Sequence, residues 1–259
     1  MDIAVERIRS RYTCRVSSRE DWQRRLGPLY GGAVALVHST PWPWPTEVSD
    51  DSRSSGWIVA LGLPIGIVAW LVASALAELG IAPSIAALIG LAMMTVASAA
   101  LIERGVVDRI DRLQDDQARS PTIPSIIVLV FTLLIRAAAI AATPRSMWLE
   151  VFVVTAVVGR WAAVFLQGIG DPIMDPQLRR SLVATPTPAW LTGAISLAVA
   201  ALTVFALGKV GIIALAIAAV AAFGLGLDAQ RRDRGLSAPV VAVAAAVGEL
   251  AVLIVAASH

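Results

Sequence analysis

The feature that most constrains the fold of this chain is a series of apolar stretches, each about 20 residues long. A helix needs about 20 predominantly apolar residues to cross the hydrocarbon core of a bilayer. Six stretches meet this requirement, and they cover residues 57–79, 81–102, 123–143, 147–167, 190–207 and 239–257. A seventh stretch, 209–227, is flanked by Lys209 and Asp228. The sequence therefore predicts an all-α, polytopic membrane bundle of about seven transmembrane helices.

The composition supports a membrane protein and limits its chemistry. Hydrophobic residues make up 57% of the 259 residues, and charged residues make up only 15%. Soluble domains contain about 45–50% apolar and about 25% charged residues, so an ordinary cytosolic enzyme is excluded. One cysteine and two histidines exclude an internal disulfide and a zinc site built on several histidines. Transfer chemistry must therefore use carboxylates and arginines, and the net charge of +2 gives no indication of a nucleic-acid partner.

The first 26 residues form an arginine-rich extension that carries seven arginines. We expect it to lie on anionic lipid at the cytoplasmic surface, where each basic residue contributes about 1 kcal/mol. The apolar run from Leu29 to His38 is too short to cross and is expected to be a half-inserted or interfacial segment. A cleaved signal peptide is disfavoured because no A-x-A site follows this run. Residues 27–259 are expected to form a single membrane-embedded domain.

The arginines outside the extension predict the orientation of the chain. They concentrate in three long connections, 103–122, 168–189 and 228–238. The alternate connections are short and lie near Gly80, Pro144 and Gly208. Because loops rich in Lys and Arg remain in the cytoplasm, we expect the N-terminus and the three long loops on the cytoplasmic side of the inner membrane.

The most polar stretch between the spans, residues 103–119, carries five acidic side chains. In a helix, Asp108, Asp111 and Asp115 lie three and four residues apart on one face. Such carboxylates repel one another unless a cation neutralises them, and Mg²⁺ combines carboxylates with substrate phosphates. We therefore predict that these three aspartates bind Mg²⁺. The alternative is a solvated helix in which interleaved arginines pair with the acids.

Two arginines, Arg136 and Arg160, lie inside apolar spans. Inserting a charged side chain at that depth of the bilayer costs about 2.5–3.5 kcal/mol on insertion scales, so such residues are rare and a charge in a span indicates a functional site. Because guanidinium groups bind phosphate oxygens bidentately, we predict that both arginines hold phosphate groups entering from the cytoplasm. The alternatives are a structural ion pair with Glu249 or Glu150, or snorkelling to the interface. Arg136 has no acidic neighbour within its own span.

Four motifs, met in the same order along the chain, resemble one known family. Residues 40–45, T-P-W-P-W-P, resemble a T-R-L-P-V-P element, and residues 101–113, LIERGVVDRIDRL, align without a gap to L-H-x-D-G-x-A-D-T-x-D-G-L. Gly159-Arg160 resembles an S/G-R pair in mid-helix. Residues 235–250, GLSAPVVAVAAAVGEL, are similar to G-x-T-G-D-x-L-G-A-A-I-E-L-G-E-L. These are the motifs of the cobalamin synthase family (adenosylcobinamide-GDP ribazoletransferase), and the resemblance extends from about Gly27 to the C-terminus.

Several signature positions depart from that family. In the first long motif the matching positions are Gly105, Asp108 and Asp111. The family's histidine, first aspartate and last glycine are replaced by Ile102, Arg104 and Arg112. In the last motif Pro239 replaces the aspartate and Ala246 replaces the first glutamate, whereas Glu249 matches. These changes remove negative charge where a metal ion would bind.

The resemblance implies a membrane enzyme of cobalamin biosynthesis. Such an enzyme would transfer the corrinoid phosphoryl group of adenosylcobinamide-GDP to α-ribazole, or to its phosphate, and release GMP. By the same resemblance Asp108 and Asp111 would be catalytic and would hold Mg²⁺, and Arg160 would bind phosphate. Helical spacing adds Asp115 to the predicted metal ligands, and its place inside an apolar span adds Arg136 to the predicted phosphate ligands. The expected partners are corrinoid and nucleotide substrates and the lipid membrane, with a homo-oligomer or other membrane proteins of cobalamin biosynthesis as further partners.

Two alternatives to this activity follow from the same sequence. The first is a catalytically degenerate family member that keeps the fold and the arginines and acts as a membrane binding or scaffold partner. The second is a small transporter or channel subunit. The second is disfavoured because no inverted internal repeat is visible.

Overall fold

The computed structural model describes residues 22–42, 54–114, 121–173, 181–183, 188–233 and 235–258, and the predicted arginine-rich extension falls almost entirely outside these ranges. The helices are α1 (Tyr30–Ser39), α2 (Ser54–Ala60), α3 (Gly62–Glu78), α4 (Pro83–Ala97), α5 (Leu101–Gln114), α6 (Ile123–Ala142), α7 (Trp148–Ile169), α8 (Ala189–Arg232) and α9 (Ala238–Ala257). Short 3-10 helices precede α1 and α7. This architecture confirms the predicted all-α membrane bundle.

Five segments in the described ranges are long and apolar enough to cross a membrane: Ser54–Glu78, Ile123–Ala142, Arg145–Ile169, Ala189–Arg232 and Ala238–Ala257. Helices α4 and α5 pass the same test only as a pair, and they are bent by 74° at the break between them. The predicted continuous span 81–102 was therefore wrong in detail. Its helix ends at Ala97, and the chain turns sharply before α5 begins.

Helix α8 consists of two antiparallel arms that join at Gly208. This residue has φ +60° and ψ −138°, a left-handed conformation that glycine adopts without steric cost. A Cβ placed on Gly168, near the end of α7, would lie 2.7 Å from Thr192, and one on Gly226 would lie 2.6 Å from Leu166. In a straight helix Thr192 and Gly226 would be about 51 Å apart and could not both reach the same end of α7.

The two arms of α8 correspond to the predicted spans 190–207 and 209–227. When the arms are counted separately and the bent pair is counted as one, the described residues contain seven candidate spans, as the sequence predicts. Helix α1 has ten residues, too few to cross alone. It packs on α2, where a Cβ on Gly32 would lie 3.2 Å from the ring of Trp57.

Helices α7 and α9 form the centre of the bundle. Within their most apolar windows, 83% of the α7 segment and 72% of the α9 segment are buried, compared with 22% of α6. Glycines allow the central helices to approach closely, as is common between membrane helices. A Cβ on Gly159 would lie 2.5 Å from Cγ of Glu249, and one on Gly105 would lie 2.1 Å from Cβ of Ala242. These close crossings bring the first turns of α5 and the middle of α7 against α9.

Candidate active site

The break between α4 and α5 places polar side chains inside the bundle. Ala99 and Ala100 have φ values of +53° and +52°, a left-handed conformation that costs energy in residues other than glycine. Their N–H groups donate to the carbonyl oxygens of Val96 and Thr95, so the turn is closed by its own backbone. Two consecutive strained residues persist only where the surrounding structure holds them, and such positions are concentrated at functional sites.

Arg136 of α6 lies between two glutamates that come from other helices. Its side chain is 1% exposed. Nη1 donates to Oε1 of Glu103 on α5 at 2.7 Å, and Nη2 donates to Oε2 of Glu249 on α9 at 2.5 Å. The Thr95 hydroxyl donates to the same Oε1 atom at 2.8 Å. Arg136 has no acidic neighbour within its own span, as expected, but the packing of α5 and α9 against α6 brings two glutamates to its guanidinium.

Arg160 of α7 is fully buried and has a different set of partners. Its Nη2 donates to the Ser98 hydroxyl at 2.7 Å, and its Nη1 donates to the carbonyl oxygen of Ala156 at 3.1 Å. Glu249 and Glu103 act on it electrostatically from a longer distance. Among the described residues its guanidinium therefore has hydroxyl and carbonyl partners but no ion pair with Glu249 or Glu150.

We refer to Glu103, Arg136, Arg160 and Glu249 as the buried cluster. With two positive and two negative side chains, its formal charge is balanced. Three of its buried polar atoms have no hydrogen-bond partner within the described ranges: Glu103 Oε2, Arg136 Nε and Arg160 Nε. Each unsatisfied buried polar group costs about 1–3 kcal/mol, so their concentration in one place indicates a site that a ligand completes.

We refer to the other charged residues of α5 as the outer face of α5; they are Arg104, Asp108, Arg109, Asp111 and Arg112. Arg104 Nε lies 3.6 Å from Asp108 Oδ2, and both side chains are substantially exposed. Arg109 is buried, and its Nη2 lies 3.3 Å from Oδ2 of Asp228. Arg109 also forms an ion pair with Asp233, and the two pairs hold α5 against the end of α8.

Asp111, at the loop end of α5, is held by Thr122. Its Oδ1 atom accepts hydrogen bonds from the Thr122 hydroxyl at 2.6 Å and from the Thr122 N–H at 3.0 Å. The hydroxyl is the main reason that the pKa of the Asp111 carboxyl lies below its ordinary value. Asp111 therefore fixes the connection from α5 to α6.

The chain matches the family model for cobalamin-5-phosphate synthase over residues 32–257. The chain belongs to the cobalamin-5-phosphate synthase family. This confirms the resemblance read from the motifs and assigns the protein to an enzyme family of cobalamin biosynthesis. No curated protein and no solved structure matches the chain.

In this family member, a variable position of the first signature supplies a buried carboxylate. Arg104 occupies the position of the family's first aspartate, and its side chain is 70% exposed. The neighbouring Glu103 is only 8% exposed and belongs to the buried cluster. The carboxylate that reaches the interior from the start of α5 is therefore shifted by one residue relative to the signature.

The predicted magnesium ligands do not form a set of three within the described ranges. Asp115 lies outside the described residues. The described part of the chain contains no group of three or more His, Cys, Asp or Glu side chains that could hold a metal ion. Within the described residues, Asp108 is paired with Arg104, and Asp111 accepts hydrogen bonds from Thr122. Mg²⁺ binding by Asp108, Asp111 and Asp115 stays a prediction.

From the sequence, Glu103 was a candidate to reach the position vacated by the family's first aspartate, although adjacent helical side chains point about 100° apart, and no role was assigned to Ser98 or Thr95. One available signal was the position of Glu103 directly after the apolar run 81–102, which places its carboxylate next to the membrane interior. The two hydroxyls carry no comparable signal, since Ser and Thr are common in membrane helices.

Proposed function

We propose that this protein is an adenosylcobinamide-GDP ribazoletransferase of the inner membrane, with its arginine-rich loops in the cytoplasm. The observation that carries the proposal is Arg160: a fully buried guanidinium, without an ion pair among the described residues, inside a member of this family. A cation held in that state is prepared to bind an anion, and the substrate of the family reaction carries a diphosphate.

The reaction transfers the phosphoryl group that is bonded to the corrinoid. A hydroxyl oxygen of the acceptor forms a bond to that phosphorus, and the phosphoanhydride bond to GMP breaks. GMP leaves with the electron pair, and the hydroxyl loses its proton. The family's name refers to a 5-phosphate product, so we take ribazole phosphate as the preferred acceptor over ribazole. Positive charge fixed beside the phosphoryl oxygens stabilises this kind of transition state.

The two buried arginines have different roles in this proposal. Arg160 contacts phosphate directly, through Nε and the edge of its guanidinium. Arg136 already holds Glu103 and Glu249, so it contributes a second donor through Nε and keeps the two carboxylates in place. Asp108 and Asp111 remain proposed catalytic and metal-binding residues.

The proposal is tested by incubating the purified full-length protein in lipid nanodiscs with adenosylcobinamide-GDP and ribazole phosphate or ribazole. We expect release of GMP, faster with Mg²⁺ if the predicted metal site forms. Arg160→Gln is expected to abolish GMP release, and Asp108→Asn to do the same if Asp108 is catalytic. Arg145→Gln is the matched control, because Arg145 forms an exposed pair with Glu78. The proposal is wrong if the wild-type protein releases no GMP with either acceptor.

A catalytically degenerate member is the second candidate. It is favoured by the replaced signature residues Arg104, Pro239 and Ala246, and by the pairing of Asp108 and Asp111 with residues of the chain itself. A degenerate protein would retain binding of the GDP-activated corrinoid, detectable by equilibrium dialysis, without any release of GMP.

A further inference from the structure

We infer that Glu103 binds the attacking hydroxyl of the acceptor and takes its proton. This inference rests on the proposed function and adds a catalytic residue at a position that the family signature leaves variable. Glu103 replaces none of the signature residues, so the inference depends on the contacts of Glu103 in the structure.

The two oxygens of Glu103 differ in their surroundings. Oε1 accepts hydrogen bonds from Arg136 at 2.7 Å and from Thr95 at 2.8 Å. Oε2 is buried and has no partner among the described residues. An ionised carboxylate only accepts hydrogen bonds, so the group that completes Oε2 must be a donor, and a substrate hydroxyl is such a group.

The same contacts fix the carboxylate next to the proposed phosphate site. Arg136 and Thr95 restrain Glu103 from two other helices, α6 and α4. Thr95 donates to Glu103, and Ser98, three residues further along the chain, accepts a hydrogen bond from Arg160, so both side chains meet the same end of α4. A nucleophile held by Glu103 and a phosphoryl group held by Arg160 would therefore be neighbours.

The proton transfer completes the reaction described above. The acceptor hydroxyl donates a hydrogen bond to Glu103 Oε2. As its oxygen forms the bond to phosphorus, the proton moves to Oε2, the phosphoanhydride bond breaks, and GMP leaves with the electron pair. Glu103 then returns the proton to water or to the departing product. A general base held in this way contributes about 10²–10⁴-fold to the rate.

Glu249 provides an internal comparison. It is as buried as Glu103 and binds the same guanidinium, but its oxygens are not among the buried atoms that lack a partner. A purely structural role for Glu103 predicts that removing either charge has the same consequence. A catalytic role predicts different consequences.

The test measures the pH dependence of kcat for full-length wild-type, Glu103→Gln, Glu249→Gln and Glu78→Gln proteins in nanodiscs. We expect Glu103→Gln to lower kcat about 10²–10⁴-fold and to remove the acidic limb of the profile. Glu249→Gln should keep that limb, and the exposed Glu78→Gln should match the wild type. The inference is overturned if Glu103→Gln keeps kcat within threefold of the wild type, or if both buried variants change the profile equally.

Two further measurements keep the test decisive if Glu103→Gln misfolds or if the wild type is inactive. If Glu103→Gln does not fold, Glu103→Asp is used, and it should retain the acidic limb with a kcat at least tenfold lower. An unchanged kcat in Glu103→Asp overturns the inference. Absence of GMP release by the wild type overturns both the proposed function and the inference, whereas wild-type turnover with an active Glu103→Gln overturns the inference alone.

Discussion

The buried cluster and the outer face of α5 contain the same kinds of side chain in different surroundings. In the buried cluster Arg136 is shared by Glu103 and Glu249, and all four members are at most 8% exposed. On the outer face, Arg104 and Asp108 lie 3.6 Å apart with exposed side chains. Arg109 and Asp111 are buried there, but Arg109 is paired with Asp228 and Asp233, and Asp111 accepts hydrogen bonds from Thr122. The signature motif directs attention to the outer face, but three of the seven buried side-chain atoms without a partner in the described ranges belong to the buried cluster.

The two regions differ mainly in whether their buried polar atoms have partners, because Arg109 and Asp111 are buried and paired whereas the buried cluster contains unpaired atoms. An exposed ion pair contributes about 0–1 kcal/mol, because water competes for both partners. A buried charge that loses its partner costs several kcal/mol, so the protein keeps such groups where they are paired or where they bind a ligand. The following substitutions test this difference and are given in order of decreasing loss of stability.

Arg136→Leu should have the largest effect. It leaves Glu103 and Glu249 buried without their shared cation, and breaking a buried pair in this way costs about 3–5 kcal/mol. We expect little folded protein after extraction, measured by size-exclusion chromatography and thermal unfolding. Arg145→Leu, which breaks the exposed pair with Glu78, should cost at most about 1 kcal/mol. Equal unfolding temperatures for the two variants would show that the buried cluster is no more important to folding than a surface pair.

Gly105→Ala tests the place where the two regions join. Gly105 follows Glu103 and Arg104 in α5, and its missing side chain allows α5 to contact α9 at Ala242. The added methyl group should overpack this crossing at a cost of about 1–3 kcal/mol. Gly224→Ala, where a Cβ meets nothing within 4 Å, is the control and should be neutral or slightly stabilising. A Gly105→Ala protein as stable as the Gly224→Ala protein contradicts the close crossing.

Arg109→Leu should have a smaller effect. Arg109 joins α5 to Asp228 and Asp233, but both carboxylates are partly exposed, so solvent weakens the interaction. We expect a loss of about 1 kcal/mol in unfolding free energy, and the loss should shrink at high salt. A loss as large as that of Arg136→Leu would remove the distinction between the two regions.

Asp111→Asn should have the smallest effect, and the effect should depend on pH. Because Thr122 lowers the pKa of folded Asp111, the ionised carboxylate stabilises the protein above the ordinary value of about 3.9. That contribution is lost as the pH falls through the lower pKa of the folded state. Unfolding curves of the wild type and Asp111→Asn should therefore differ at pH 6 and converge below about pH 4. A difference that grows on acidification contradicts this role.

The number and placement of the helices were largely predictable from the sequence. Crossing a bilayer requires a minimum apolar length, so the stretches 123–143 and 147–167 could be read directly. The turn at Gly208 was expected as a connection, and the structure places a left-handed glycine there. The bend before α5 was missed, because Ala99 and Ala100 have no sequence signal for positive φ.

The composition of the site was less predictable. Arg136 and Arg160 were identified because any charge inside an apolar span is unusual. Of their partners, Glu249 was named from the sequence as one of two acids that could form an ion pair, and the structure places it on Arg136. Glu103 and Ser98 could not be assigned, since sequence periodicity does not determine which helices pack together. The metal-binding role of Asp108, Asp111 and Asp115 remains a prediction.

The central claim is that this protein is an active cobalamin synthase whose phosphate site is the buried Arg160. Its most direct test is growth of a bacterial strain that lacks its own cobalamin synthase and is supplied with a corrinoid precursor. At equal levels of folded protein, we predict that the wild type and Arg145→Gln restore cobalamin-dependent growth and that Arg160→Gln does not. Failure of the wild type, or growth with Arg160→Gln at the wild-type rate, would contradict the claim.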